Sequence, residues 1–99
     1  MEIVKIGPYQ VGQGYPLLVM AGPCVLEGYE RSLAIGKRAK AICEKLGLPY
    51  VFKASYDKAN RSSLDSFRGP GLEEGLQILA QIKKDLGVPV ISDVHETWQ

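Results

Sequence analysis

Two octapeptides, EKLGLPYV (44–51) and KDLGVPVI (84–91), have the same plan: charged helix end, Leu-Gly, one apolar residue, proline, apolar strand. Glycine after the last apolar residue of a helix is a C-terminal cap, and a proline shortly beyond it prevents the helix from continuing. Each octapeptide therefore marks a helix-to-strand joint. Upstream of the first lies YERSLAIGKRAKAICEKLG (29–47), in which Ile35, Ala39, Ile42, Cys43 and Leu46 fall on one helical face. Upstream of the second lies GLEEGLQILAQIKKDLG (71–87), with Leu72, Leu76, Leu79, Ile82 and Leu86 on one face and Glu73 and Glu74 at its positive N-terminal end. LLVMAG (17–22), YVFKAS (50–55) and PVISDV (89–94) are apolar runs of the kind found in strands buried on both faces. Glu2 to Gln13 forms two short strands around the turn-favouring pair Gly7-Pro8.

The order is β-β-β-α-β-α-β, and its last three strands alternate with helices across short joints. That pattern predicts an α/β fold with a parallel sheet and right-handed crossovers. The chain stops at HETWQ directly after its last strand, where a further loop and helix would follow. A (β/α)₈ barrel needs roughly 250 residues, so the expectation is a truncated chain. It forms a single partial domain over 1–99, with a hairpin over 1–14 and the first β/α units over 17–99.

Composition narrows the function classes. Ninety-nine residues, 45% hydrophobic and 23% charged, make one small globular domain. Twelve basic against eleven acidic side chains give a formal charge of +1, which argues against a general nucleic-acid surface. No apolar run approaches the ~20 residues of a membrane span, and the start, MEIVKIGPYQ, has no secretory pattern. Two cysteines, Cys24 and Cys43, are too few for a disulfide framework. A reduced cytoplasmic chain is expected.

In α/β folds ligands bind at the carboxyl ends of the strands. The three parallel strands end in Gly22-Pro23-Cys24, Lys53-Ala54-Ser55 and Asp93-Val94-His95, so the unusual side chains share one rim. Cys24, beyond the core in a glycine-proline turn, suits a metal ligand or nucleophile, or is a bystander thiol. Cys43, on the apolar helix face, suits plain core packing. His95, the only histidine, suits ligand or acid/base duty as well as a simple polar contact. Asp93 could equally cap a following helix.

KASYDKANRSS (53–63) concentrates Lys53, Lys58 and Arg61 with Ser62 and Ser63. A solvated loop is the bland reading. Lys53, however, lies in an apolar strand run where a buried cation needs a partner. Arg61 offers a planar fork for phosphate and the serines offer hydroxyls. Two glycine patterns are discounted as nucleotide loops. Gly12-Gln13-Gly14 precedes no helix. Gly69-Pro70-Gly71 with Gly75 opens one, but Glu74 stands where a dinucleotide fingerprint has its third glycine, and a long polar loop separates these glycines from the preceding strand.

AGPC (21–24), FKAS (52–55), DKANRSS (57–63), FRGPGLEEGL (67–76) and DVHE (93–96), in that order, closely resemble the 3-deoxy-D-manno-octulosonate 8-phosphate synthases. The resemblance runs from about Leu18 to Gln99 and covers about the first third of a family barrel. The sister 3-deoxy-D-arabino-heptulosonate 7-phosphate synthases carry Lys-Pro-Arg-Thr-Ser at the place of KANRSS. The resemblance implies a cytoplasmic (β/α)₈-barrel homotetramer that condenses phosphoenolpyruvate with D-arabinose 5-phosphate for lipopolysaccharide. It assigns Lys53, Ser55 and Lys58 to the phosphoenolpyruvate side and centre of the site, and Asn60 to the arabinose hydroxyls. Arg61 and Ser62 are assigned to the arabinose 5-phosphate phosphoryl group, across a subunit boundary. Lys58, Asn60, Asp93 and His95 form the expected catalytic group. Members with Ala-Gly-Pro-Cys resemble a metal-dependent class, which implies a divalent metal ion (zinc, iron or manganese) on Cys24, with three further ligands beyond Gln99. Gly28 departs from the serine of many relatives and softens the start of the first helix. The alternatives are the sister synthase acting on erythrose 4-phosphate and a non-catalytic α/β fragment; the 99 residues alone are expected to be inactive.

Overall fold

The computed structural model describes residues 2–58 and 67–99. Val4–Ile6 (β1) and Tyr9–Val11 (β2) pair antiparallel across the Gly7-Pro8 turn. Val19–Ala21 (β3), Tyr50–Lys53 (β4) and Val90–Ile91 (β5) form a parallel sheet in the order β3-β4-β5. Tyr29–Leu46 (α1) joins β3 to β4, and Leu72–Leu86 (α2) joins β4 to β5. The two helices end alike: Gly47 and Gly87 are left-handed caps at φ 70° and 68°, each donating its N–H to the last turn. That conformation is open to glycine and strained for other residues. Among the described residues no helix is long and apolar enough to cross a membrane.

The register sorts the sheet into two faces. Val19, Tyr50, Phe52 and Val90 lie with Ala21 on the face covered by α1 and α2. Phe52 at its centre is fully buried, which is worth roughly 1.5–3 kcal/mol by area removed from water. Tyr50 is buried too, its hydroxyl donating to the Ala21 carbonyl at 2.7 Å, and burial pushes its ionisation up to about 12. On the other face Val51 is buried but Met20, Lys53 and Ile91 are exposed, whereas the apolar runs predict strands covered on both sides.

The inward face of α1 differs from the one its large apolar residues suggest, whereas that of α2 is largely the one expected. On α1, Ser32, Gly36 and Cys43 are buried and Ala39 is partly so, while Ile35, Ile42 and Leu46 are exposed. On α2, Gly75, Leu79, Ile82 and Leu86 are buried, and Leu76 is half exposed. Both inward rows run at i, i+4, i+7, i+11 and contain a glycine. The reason is close approach. A Cβ on Gly36 would lie 2.7 Å from Leu86 Cδ1 and 3.0 Å from the Phe52 ring. On α1 small residues let the helix sit low on the sheet, and Ile35, Ile42 and Leu46 turn aside. Cys43 packs in the core as expected, 5% exposed. The buried Ser32 hydroxyl has no hydrogen-bond partner among the described residues.

Gly75 makes the stability consequence testable. A Cβ there would lie 2.3 Å from Tyr56 Cβ. Alanine is the better helix former by about 1 kcal/mol, whereas overpacking a core costs about 1–3 kcal/mol. Gly75→Ala in a full-length chain carrying these residues is expected to lower the denaturant midpoint. A raised midpoint would show that Tyr56 yields at no cost.

Candidate active site

Pairing between β3 and β4 continues past the strands. Ser55 N–H donates to the Cys24 carbonyl at 3.2 Å, Leu26 N–H donates to the Ser55 carbonyl at 3.0 Å, and Val25 bridges Ser55 in parallel. On the other side Ala54 N–H donates to the Ile91 carbonyl at 3.3 Å. Cys24, Ser55 and the start of the Asp93–His95 segment are thereby brought to one end of the sheet. Gly22 is required by this crossing, since a Cβ on it would lie 2.1 Å from the Lys53 carbonyl oxygen.

Above the strand ends a hollow of about 240 Å³ is lined by Met20, Gly22, Cys24, Lys53, Ser55 and Lys58, among others. Cys24 is an exposed free thiol. Lys53 is exposed; the expectation of a lysine buried within an apolar strand is corrected. Its side chain belongs to the face that α1 and α2 leave open, so the cation keeps its water. Ser55 is 3% exposed, and its hydroxyl donates to Asp93 Oδ1 at 2.5 Å. Asp93 Oδ2 lies 3.5 Å from His95 Nε2. Desolvation raises the Asp93 pKa, but the Ser55 hydroxyl, its own backbone and the His95 and Lys58 charges outweigh it, leaving the carboxyl below its usual 3.8. Asp93 thus acts as an acceptor here.

His95 Nε2 lies 2.5 Å from the Asp57 carbonyl oxygen. A carbonyl only accepts, so in the neutral ring Nε2 carries the proton and Nδ1 is the acceptor. Asp57 is itself gripped by Arg68 through paired contacts of 3.1 Å. Lys58 N–H donates to the Arg68 carbonyl at 2.7 Å and Gly71 N–H to the Tyr56 carbonyl at 3.0 Å. These bonds tie 56–58 to 68–71. Asn60, Arg61, Ser62 and Ser63 lie outside the described residues. The structure therefore brings Cys24, Lys53, Ser55, Lys58, Asp93 and His95 to one rim. Sequence reading missed the roles of Tyr56, Asp57, Arg68 and Gln99. Arg68 stood within a quoted motif, yet nothing in its spacing pointed to Asp57.

A pH test of the Ser55–Asp93 bond follows. A carboxyl whose folded pKa is depressed adds stability above its unfolded value, lost as pH falls through the folded one. Ser55→Ala removes a cause of the depression. The variant is therefore expected to show a shallower loss of stability below the ordinary carboxylate range, read as denaturant midpoint against pH. Identical pH profiles would mean that the bond does not hold Asp93 ionised.

Among the described residues no group of three or more His, Cys, Asp or Glu side chains could hold a metal ion. Cys24 is a single soft donor at the edge of the hollow, and an ion there would draw further ligands from elsewhere.

A family model described as the DAHP synthetase I family matches residues 3–99. Among curated relatives, the 2-dehydro-3-deoxyphosphooctonate aldolase of Desulfatibacillum aliphaticivorans is 61% identical over 89 residues, 90% of this chain and 33% of its own length. The protein of that name from Pseudomonas aeruginosa (strain UCBPP-PA14) is 52% identical over 98 residues, 99% of this chain and 35% of its own. That of Trichlorobacter lovleyi is 50% identical over 96 residues, 97% and 35%. The chain spans about a third of the length of these relatives. Their name is another for the 3-deoxy-D-manno-octulosonate 8-phosphate synthases, the family resembled by KANRSS and RGPGLEEGL.

Proposed function

We propose, for a chain that belongs to the DAHP synthetase I family, that it forms the first part of a 3-deoxy-D-manno-octulosonate 8-phosphate synthase. The enzyme joins phosphoenolpyruvate to D-arabinose 5-phosphate and releases phosphate, a step toward lipopolysaccharide. The family description carries the name of the sister heptulosonate enzyme. The relatives of 50–61% identity and the pattern Lys-Ala-Asn-Arg-Ser-Ser favour the octulosonate product. The observation that carries the reading is the meeting of Lys53, Ser55 and Lys58 with Cys24 around one hollow at the strand ends.

Two phosphorylated substrates side by side place like charges together, and cations offset them. On this reading Lys53, Ser55 and Lys58 hold phosphoenolpyruvate. Asn60 meets the pentose hydroxyls, and Arg61 and Ser62 bind the pentose phosphate across a subunit boundary. The alkene electrons at C3 of the enol form a bond to the aldehyde carbon, whose oxygen takes a proton. Water adds to C2, and the tetrahedral intermediate expels phosphate by C–O cleavage. The chain's own groups align the reactants and stabilise the developing charge. Asp93 and His95 complete the catalytic group with Lys58 and Asn60. Cys24 serves as one ligand of a divalent ion of zinc, iron or manganese type, which supplies Lewis-acid polarisation of a substrate oxygen when bound. The whole protein is a (β/α)₈ barrel with an N-terminal hairpin over 1–14 and its first β/α units over 17–99. It is a homotetramer of the cytoplasm, where both substrates are met. Phosphate release by a full-length chain, with arabinose 5-phosphate or erythrose 4-phosphate offered beside phosphoenolpyruvate, tests the proposal. Turnover of erythrose 4-phosphate alone would assign the chain to the sister activity.

A further inference from the structure

We propose that Gln99 is a positioning residue for His95, acting through its side-chain oxygen. This rests on the reading that His95 belongs to the synthase site. Gln99 Oε1 accepts the His95 N–H at 2.8 Å, the Glu96 N–H at 3.2 Å and the Tyr56 hydroxyl at 2.5 Å. One amide oxygen thus ties the turn that presents His95 to a buried tyrosine of the preceding unit. Gln99 N–H closes the same turn on the Glu96 carbonyl at 3.1 Å.

Tyr56 is a fixed anchor. It is 1% exposed, and its ring centroid lies 5.8 Å from that of His95 at a 45° tilt. Glycines of the FRGPGLEEGL stretch close on it. A Cβ on Gly69 would lie 2.4 Å from the Tyr56 carbonyl oxygen, and one on Gly75 2.3 Å from its Cβ. Gly69 has φ 119° and Gly71 has φ 91°, a region that L side chains rarely adopt. Gly69 and Gly75 therefore close on the main chain and Cβ of Tyr56, and Gln99 carries that anchorage to the histidine. The imidazole is also held at Nε2, by the Asp57 carbonyl at 2.5 Å and with Asp93 Oδ2 at 3.5 Å. With main chain and ring both held, Nδ1 is aimed by the fold and not by the substrate.

Three substitutions in a full-length chain separate positioning from shape. Gln99→Leu keeps the size and loses the acceptor, Gln99→Glu keeps an acceptor oxygen, and Tyr56→Phe removes one of the three donors. A displacement of about 1 Å at a reacting group can cost ~100-fold in rate. Gln99→Leu is accordingly expected to lower kcat by about 10- to 100-fold, with the phosphoenolpyruvate KM changed less than about threefold. Gln99→Glu should restore most of that kcat, and Tyr56→Phe should show an intermediate loss, since it cuts the tie to the anchor while the two backbone donors still close the turn on the oxygen. The His95 amide signal, followed by NMR in ¹⁵N-histidine-labelled protein, should move in Gln99→Leu, move less in Tyr56→Phe and stay near its place in Gln99→Glu. Wild-type kcat in Gln99→Leu, or equal losses in Gln99→Leu and Gln99→Glu, would overturn the inference. If the wild-type protein turned over neither sugar phosphate, the proposed function would fall. The His95 signal would then decide the positioning claim: an unmoved signal in Gln99→Leu would overturn it, and a signal moved in that variant and held in Gln99→Glu would support it.

Discussion

Arg61→Ala is expected to raise the Michaelis constant for D-arabinose 5-phosphate by about 10- to 100-fold while leaving that for phosphoenolpyruvate within about threefold. Arg61 stands in KANRSS, the stretch that separates this sequence from the sister synthases. A guanidinium fork makes two parallel bonds to a phosphoryl group. Charge-assisted hydrogen bonds contribute ~1.5–3 kcal/mol each, and ~1.4 kcal/mol is tenfold in an equilibrium constant. Arg61→Lys keeps the charge but not the fork, so it should recover only part of the loss. Steady-state kinetics with each substrate varied in turn reads the result. Equal rises in both constants would place Arg61 outside the pentose phosphate subsite.

Cys24→Ser is expected to abolish turnover under conditions in which Cys43→Ser lowers stability alone. The two thiols differ in setting: Cys24 is exposed at the hollow, whereas Cys43 packs in the core under α1. If Cys24 is a ligand, the wild-type protein loses activity to a chelator and regains it with a divalent ion. A thiolate favours zinc or iron(II) over magnesium. Serine replaces a soft donor with a hard one, so metal content should fall with activity, read by elemental analysis of purified protein. Full activity of Cys24→Ser in the presence of chelator would make the cysteine a bystander.

The order of elements was legible because its punctuation is chemical. The Leu-Gly-x-Pro joints at 46–49 and 86–89 state where each helix stops, and the left-handed glycines bear this out. The inward face of α1 was not legible. Apolar periodicity picks out Ile35, Ala39, Ile42, Cys43 and Leu46; of these Ala39 and Cys43 do face the sheet, but their companions there are Ser32 and Gly36, and the three large residues are exposed. Close packing selects small side chains there, and a count of large ones cannot register that. The exposure of Lys53 is hidden for a related reason, since an apolar run does not tell whether both of its faces are covered. Within the site, the strand-end rule brought Cys24, Ser55, Asp93 and His95 together from sequence. The bonds between them required coordinates. Ser55 to Asp93, Asp57 to His95 and Gln99 to Tyr56 span 38, 38 and 43 positions, and no local pattern announces them.

The central claim is that the strand-end cluster belongs to a synthase selective for a five-carbon sugar phosphate. Its most direct test is phosphate release from phosphoenolpyruvate by a full-length chain carrying these residues, with arabinose 5-phosphate and erythrose 4-phosphate supplied in separate assays. The account predicts phosphate release and an eight-carbon keto acid phosphate with arabinose 5-phosphate, and little or no turnover with erythrose 4-phosphate. Phosphate release with erythrose 4-phosphate alone, or with neither sugar, would contradict it.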